Sequence, residues 1–457
     1  MNKKNVGLII ILGLLVGVGA AFLPPVLVVG LAAVLIFTLA MLLDYSLFVY
    51  VIGGYVLIDY ILRYIINSAL LASYWDELLL IFALCLFLYK WFMYRKESGY
   101  RYTPLDIPLV FFIIVSICVF LIKSPIINIG IAGLRQVVQQ MLWYFIAAQL
   151  IRSEKTVRYL LYIMVFIGGG LGLHGIYQYV TKAEMPTYWV DRLETGISTR
   201  VFSIIGSPNI LGALMVLLIP IAISFVFSEK KIFKKVIFIG ITLAMSATLI
   251  FTSSRSAWIG FVAAMAVYFW MKDKRLIALL VVAILAAYFL VPTIGHRMDY
   301  LLSPDYWISS AKGGRVARYT TAFQLISEHP IFGVGLGQFG GAVAQNFKIP
   351  DAFYVDSYFI KVTTEMGLVG LTAFVILIYN SLAWGARSVK RALTSESTSM
   401  AQGILAGMVG VIVPNFVENV FEVPMMVAYF WILAAAVVFL GFTLPRIKAE
   451  KETLSID

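Results

Sequence analysis

The chain has 457 residues, of which 61% are hydrophobic and 13% charged, and its formal net charge is +11. That balance excludes the soluble globular classes. The basic excess is not a nucleic-acid signature either, because the lysines and arginines cluster in short loops between apolar runs, the pattern that sets membrane topology.

Apolar runs of about 18–22 residues recur along the chain, each the length a helix needs to cross a bilayer. They are continuous rather than alternating, which excludes a transmembrane barrel and leaves helices to satisfy the backbone in lipid. The pattern predicts an all-α, polytopic integral membrane protein with about 14 transmembrane helices, within a range of 12–14. The expected spans are roughly 6–23, 26–43, 45–64, 77–94, 107–123, 131–151, 157–180, 208–228, 234–252, 256–271, 275–293, 359–385, 400–420 and 424–444. Pro24 and Pro25 make the turn between the first two. The first run also has the form of a signal peptide, with Lys3 and Lys4 before a short apolar stretch ending in "GVGA"; an uncleaved span is the preferred reading. Cys85 and Cys118 each lie inside an apolar run, with neither a disulfide framework nor metal-ligand spacing.

Charge tests the count. With the N-terminus in the cytoplasm, the alternate segments "KWFMYRKESGYR", "RSEKTVR", "SEKKIFKK", "KDKR", "RSVKR" and "RIKAEK" all fall inside. Together with the N-terminus they hold 22 of the 35 lysines and arginines. This asymmetry predicts an even number of spans in the cytoplasmic membrane, with both termini cytoplasmic. The whole chain, 1–457, then reads as one membrane domain with two long external segments, 181–207 and 294–358. A structureless loop as long as the second is unusual. Within it, "RVARYTTAFQLISEH" has apolar residues at 316, 319, 323 and 326, a helical period that Pro330 ends. The segment is expected to be a partly helical external catalytic subdomain.

Candidate chemistry gathers on the same face. Arg200 in "RVFSIIGSPN", Arg255 in "SSRSAW", and Arg315 with Arg318 three residues on are the external arginines that stand out. Arginine is permanently charged and forks onto phosphate oxygens, which suits an anionic lipid headgroup. The plainer reading pairs each with an acid such as Asp191, Glu194 or Asp305, or lets it snorkel to headgroups. Arg255 has no acid near it in sequence. In "HPIFGVGLGQFGG", Gly335 and Gly337 belong to a glycine run that fits a backbone close to a ligand or a tight turn. It does not fit a nucleotide loop, whose register it lacks. His329 is a candidate acid or base, or a helix-terminal cap. Asp356 stands where the long segment returns to the membrane, as a candidate base or a helix N-cap. Glu365 falls inside an apolar run and needs a partner. Asp59 and Arg63, four apart, are expected to pair with each other.

Four of these stretches, "RVFSIIGSPNILG", "TSSRSAWIG", "HPIFGVGLGQF" and "DSYFIKVTTEMGLVG", together resemble the O-antigen ligase and polysaccharide polymerase family of bacterial envelope glycosyltransferases. The resemblance covers about 200–370. The family's loop motif is a histidine, then Asn, Ser or Gln, nine residues, and G-x-x-G. Ser357, Gly367 and Gly370 fit it, and Asp356 stands in place of the histidine. The resemblance implies transfer of a glycan from an undecaprenyl-type polyprenyl diphosphate to an acceptor hydroxyl on a glycan, lipid core or protein. The reaction would run at the outer face of the membrane, with inversion and without metal, nucleotide or other cofactor. It casts Arg200, Arg255 and Asp356 as catalytic, and Arg315, Arg318, His329, Gly335, Gly337 and Glu365 as substrate-binding. A transporter of lipid-linked glycans is the first rival. Its charges would sit at mid-membrane among repeats. A peptidoglycan polymerase of the shape, elongation and division class is the second, and a noncatalytic assembly or sensor protein the third.

The topology makes a direct prediction. Single cysteines near 305 and 345 are expected to label from outside the cell, and those near 232 and 390 only after permeabilisation. Labelling at 232 in intact cells would sink the arrangement.

Overall fold

The computed structural model describes residues 44, 46–66, 69–93, 100–190, 199–349 and 354–454. The expected spans 6–23 and 26–43, the Pro24–Pro25 turn, and Asp191 and Glu194 lie outside the described residues. The described chain is helical and contains no extended strand. Seven of its helices are long and apolar enough to cross a membrane, or nine if each of two bent pairs is one span.

In chain order the helices are α1 (Ser46–Gly53), α2 (Tyr55–Tyr60), α3 (Ala69–Met93), α4 (Asp106–Lys123), α5 (Ile127–Val138), α6 (Leu142–Leu150) and α7 (Glu154–Val180). Then follow α8 (Pro208–Ser228), α9 (Ile232–Phe251), α10 (Arg255–Lys272), α11 (Leu276–Leu290), α12 (Pro292–Leu302), α13 (Pro304–Ala311) and α14 (Arg315–Glu328). The last are α15 (Gly341–Asn346), α16 (Tyr358–Arg391), α17 (Ser395–Ile412), α18 (Pro424–Val438) and α19 (Leu444–Leu454).

The expected spans at 107–123, 157–180, 208–228 and 234–252 match α4, α7, α8 and α9 to within three residues. Elsewhere local chemistry changes the outcome. The run 45–64 is broken between Gly53 and Gly54, and its two halves meet at 64°. The run 131–151 is two helices, α5 and α6, separated by a 3-10 turn at Gln139–Met141. That turn carries the Gln139 and Gln140 amides onto Asp76. The helix expected at 77–94 begins at Ala69. The run 275–293 stops at Leu290, and α12 leaves at 89°. Pro292 opens α12 because it has no N–H to continue the helix before it. The span expected at 400–420 ends at Phe416, so 417–423 is an irregular connection.

The core forms around α8, which packs along α17, α9 and α10. Close approach there needs small residues. A Cβ on Gly403 would come 2.9 Å from Ile221 Cα, and one on Gly410 2.6 Å from Ala264 Cβ.

The long segment between α11 and α16 holds α12 to α15, of which the helical period implied only α14. α14 begins at Arg315 and ends at Glu328, one residue short of the stretch 315–329 read as helical. On its buried face Ala322 is fully buried with Tyr319 and Leu325 beside it, while Phe323 is exposed. Of the four apolar positions counted, 316, 319 and 326 are half-buried and only Phe323 faces away.

The segment is tied to α16 by a break in that helix. Gly367 sits inside α16 at φ 66°, ψ −167°, which interrupts the ladder. The freed groups bond the glycine-rich loop instead. Leu368 N donates to Pro330 O at 2.8 Å, Val334 N to Thr364 O at 2.9 Å and Gly335 N to Glu365 O at 3.0 Å. A Cβ on Gly367 would collide with Ile331 O. Lys361 and Glu365, each 2% exposed, pair one turn before the break, with 3.6 Å between Nζ and Oε1. Lys361 also reaches Glu422 Oε1 at 3.3 Å and Gly340 O at 2.9 Å.

Gly367→Ala is expected to destabilise the protein sharply. A left-handed backbone costs a non-glycine residue about 1–3 kcal/mol before any clash. Gly240→Ala, where an added Cβ meets nothing within 4 Å, should be neutral or stabilising. Thermal unfolding of both purified variants in detergent checks the contrast.

Candidate active site

A tight turn sets the first arginine. α9 and α10 are joined through Thr252, Ser253 and Ser254, with Ser253 in the left-handed region at φ 51°. Thr252 Oγ1 donates to Leu249 O at 2.7 Å and accepts from Ser254 N at 3.3 Å. The turn makes Arg255 the first residue of α10. Its guanidinium lies over the Tyr306 ring, 5.0 Å from the centroid. Its Nη1 is buried and has no hydrogen-bond partner among the described residues.

Arg255 lines a cavity of about 870 Å³. The cations around it are Arg200, Arg255, Arg297, Lys312, Arg315 and Arg318, against the carboxylates Asp356 and Glu418. α8, α10 and α14 all begin at its wall, contributing Asn209, Ser254 to Ser256, and Gly314 with Arg315. Helix N-termini add partial positive charge and unpaired N–H groups, so the fixed charges and the backbone both favour an anion.

The arginines divide by what they already hold. Arg200, 6% exposed, donates to Thr252 O at 3.0 Å, Trp189 O at 2.7 Å and Asn209 Oδ1 at 2.7 Å. It ties three separate segments together at the cavity wall. Arg318 donates to Asp356 Oδ2 at 2.9 Å and to Tyr354 O at 3.1 Å. Arg315 Nε lies 3.4 Å from the same Oδ2, and its Nη2 bonds Glu418 Oε1. Arg315 and Arg318 therefore do share a face and a target. Burial works against the charge on Arg315, but Glu418 and Asp356 together hold its pKa above the ordinary value.

Asp356 lies just before α16, whose N-cap is Ser357; the Ser357 hydroxyl accepts from Ile360 N at 3.2 Å. The cap is therefore the neighbour, and the Asp356 carboxylate faces the arginines. Glu418, 7% exposed, comes from the irregular connection between α17 and α18 and also accepts from Asn209 Nδ2 at 2.8 Å. Burial pushes its carboxyl above the usual carboxylate range, against the lowering pull of Arg315.

Other expected residues go elsewhere. His329 is exposed at the C-terminus of α14 and is not among the residues lining this cavity. Gly335 and Gly337 are also absent from the lining, and serve backbone packing instead. Gly335, at φ 107°, sits against Lys123 O, and Gly337 against α5, where a Cβ on Gly133 would come 2.6 Å from its nitrogen. Glu365 holds the loop through Lys361 and Phe339 N, with no contact to the arginines. The Asp59–Arg63 pair forms as expected, at 2.7 Å.

Arg297, Asn209 and Glu418 escaped the sequence reading. Glu418 looked like the tail of an apolar span; the signal was "PNFVENVFEVP", two acids and two asparagines between prolines, too polar to cross lipid.

Arg200→Ala is expected to lower thermal stability well beyond Arg255→Ala. It removes three bonds to a charged group, each worth about 1.5–3 kcal/mol, whereas no hydrogen bond within the described chain is lost with Arg255. Melting curves that shift equally would refute this division of labour.

The family model described as O-antigen ligase matches residues 240–375. The match takes in Arg255, Arg297, Arg315, Arg318 and Asp356; Arg200, Asn209 and Glu418 lie outside it. No curated protein matches the chain. Through residues 240–375 this helical chain, with its seven membrane-length apolar helices, is similar to the O-antigen ligases.

Proposed function

We propose that the protein is a membrane glycosyltransferase that moves a glycan from a polyprenyl diphosphate, of the undecaprenyl type, to an acceptor hydroxyl. The observation that carries this reading is Arg255: a guanidinium with an unpartnered buried nitrogen, in a cavity where cations outnumber carboxylates and three helices begin. A diphosphate supplies the oxygen acceptors such a site lacks. The cavity's charged residues come from helix ends and connections in several parts of the chain rather than from the middles of repeated spans, which favours this over transport. Whether the acceptor is lipid core or growing chain separates ligase from polymerase.

In the proposed reaction the acceptor oxygen attacks the anomeric carbon from the side opposite the diphosphate. The new glycosidic bond forms as the bond to the diphosphate oxygen breaks, and the configuration inverts. The acceptor proton passes to a carboxylate. The departing diphosphate gains negative charge, which Arg255 and its neighbours stabilise more than they stabilise the ground state. We take Asp356, which stands where the family's motif has a histidine, as that base; its arginine contacts both end on Oδ2. Arg200 acts by positioning, since its bonds hold the wall together. The long segment 294–358 would then form the external catalytic face, with both termini cytoplasmic.

Glu418 supports a second reading of the base, because its burial holds a proton at higher pH than an ordinary carboxylate and so suits transfer nearer neutrality. The two readings part on one pair of variants, assayed in nanodiscs with a defined polyprenyl-diphosphate donor. Asp356→Asn is expected to abolish transfer while farnesyl diphosphate still binds. An active Asp356→Asn beside an inactive Glu418→Gln moves the base to Glu418. The wild-type rate should then rise with pH through a value above the usual carboxylate range, because the base works only once its proton has left. Transfer by both variants excludes a carboxylate base at this site. Arg255→Ala should lose about a hundredfold or more in kcat, by analogy with a lost oxyanion donor. Arg255→Lys should recover little of it, since an ammonium does not fork onto two oxygens.

A further inference from the structure

The cationic cavity does not stand alone. A second cavity, of about 700 Å³, shares Trp189, Asn209, Asp356 and Glu418 with it. A third, of about 310 Å³, shares Tyr55, Arg63 and Pro424 with the second. The three are therefore adjacent, with the two carboxylates on the wall between the first and second.

Their chemistry changes along the row. The second cavity is aromatic, with Tyr55, Tyr60, Tyr64, Trp189 and Tyr354 in its lining. Its charged residues are Asp59, Arg63, Asp356 and Glu418, and Arg63 is bonded to Asp59 at 2.7 Å. Carboxylates outnumber cations there, the reverse of the first cavity, so a second phosphate would be repelled. The third cavity is rich in amides, with Gln136, Gln139, Gln140 and Asn346, and its charges are balanced between Arg63, Arg135, Asp76 and Glu422.

Unpaired groups give the same direction. In the second cavity Asn419, 3% exposed, donates from Nδ2 to Glu422 Oε2 at 2.8 Å, but its Oδ1 has no partner among the described residues. In the third, Gln140, 4% exposed, donates from Nε2 to Asp76 Oδ2 at 2.6 Å, and its Oε1 has no partner either. A buried carbonyl without a donor is costly and calls for one. The first cavity offers the opposite, an unpartnered donor at Arg255.

We infer that the second and third cavities form one groove for the acceptor glycan, with room for more than one sugar ring. Aromatic faces take the apolar faces of pyranose rings, and the buried carbonyls of Asn419 and Gln140 accept sugar hydroxyls. The groove takes a hydroxyl-rich saccharide that carries no phosphate, and brings its end to Asp356 and Glu418. This deepens the proposed transfer and rests on it: donor diphosphate on one side of the carboxylates, acceptor sugar on the other.

The test uses the intact protein in nanodiscs and two kinds of probe. Neutral tetrasaccharides (cellotetraose, maltotetraose and chitotetraose) are followed by saturation-transfer NMR, and farnesyl diphosphate by calorimetry. At least one tetrasaccharide is expected to bind. Its affinity should fall at least tenfold in Tyr60→Ala/Tyr64→Ala, whose side chains are partly exposed and whose loss spares the core. Gln140→Leu should weaken it too. Farnesyl diphosphate should bind both variants as it binds the wild type. The groove is overturned if no tetrasaccharide binds, if saccharide binding survives both variants, or if the tyrosine variant weakens farnesyl diphosphate as much as Arg255→Ala does. Farnesyl diphosphate binding that survives Arg255→Ala overturns the donor site instead, a separate result from the saccharide data.

Discussion

The ion cluster of Arg315 with Asp356 and Glu418 is the interaction on which the rest of the site depends. A buried carboxylate such as Glu418 must be matched by a nearby cation, here the partly exposed Arg315, because breaking the pair leaves an uncompensated charge. Here the partners come from three distant parts of the chain: the start of α14, the residue before the N-cap of α16, and the connection between α17 and α18. Closing the cluster therefore brings a loop helix and two bundle elements together. The same cluster forms the wall between the cationic and aromatic cavities.

A second constraint sets the angle at which the loop meets the bundle. α16 cannot pass Gly367 as a regular helix, and the groups it frees are bonded by the backbone of 330–335. Lys361, held between Glu365 and Glu422, braces this junction from within. The glycines of the loop motif thus lie away from the cationic cavity. They dock the loop, which carries Arg315 and Arg318, onto the helix that Asp356 precedes.

Around the two carboxylates the surroundings are complementary. One side has cations, helix N-termini and an unpartnered guanidinium nitrogen; the other has aromatic rings and unpartnered amide carbonyls. A phosphate oxygen and a sugar hydroxyl have opposite hydrogen-bonding needs at these points. In the proposed transfer, this difference keeps donor and acceptor apart until their reacting atoms meet at Asp356 and Glu418.

The sequence alone determined what depends on local composition. Apolar runs longer than a bilayer is thick have to be helices, and Pro330 has to end α14, because both follow from backbone chemistry within a few residues. Arg255 stood out for the same reason: it had no acid in its own stretch of chain. Partners remote in sequence were not legible. Arg200 read as a ligand group until Trp189, Asn209 and Thr252 were seen to occupy its guanidinium. His329 and the loop glycines kept their motif but lay away from the cavity, and Glu418 passed as part of a span. A side chain's role depends on which groups compete for its hydrogen bonds and charge, and across gaps such as the 103 residues between Arg315 and Glu418 only the tertiary structure decides that.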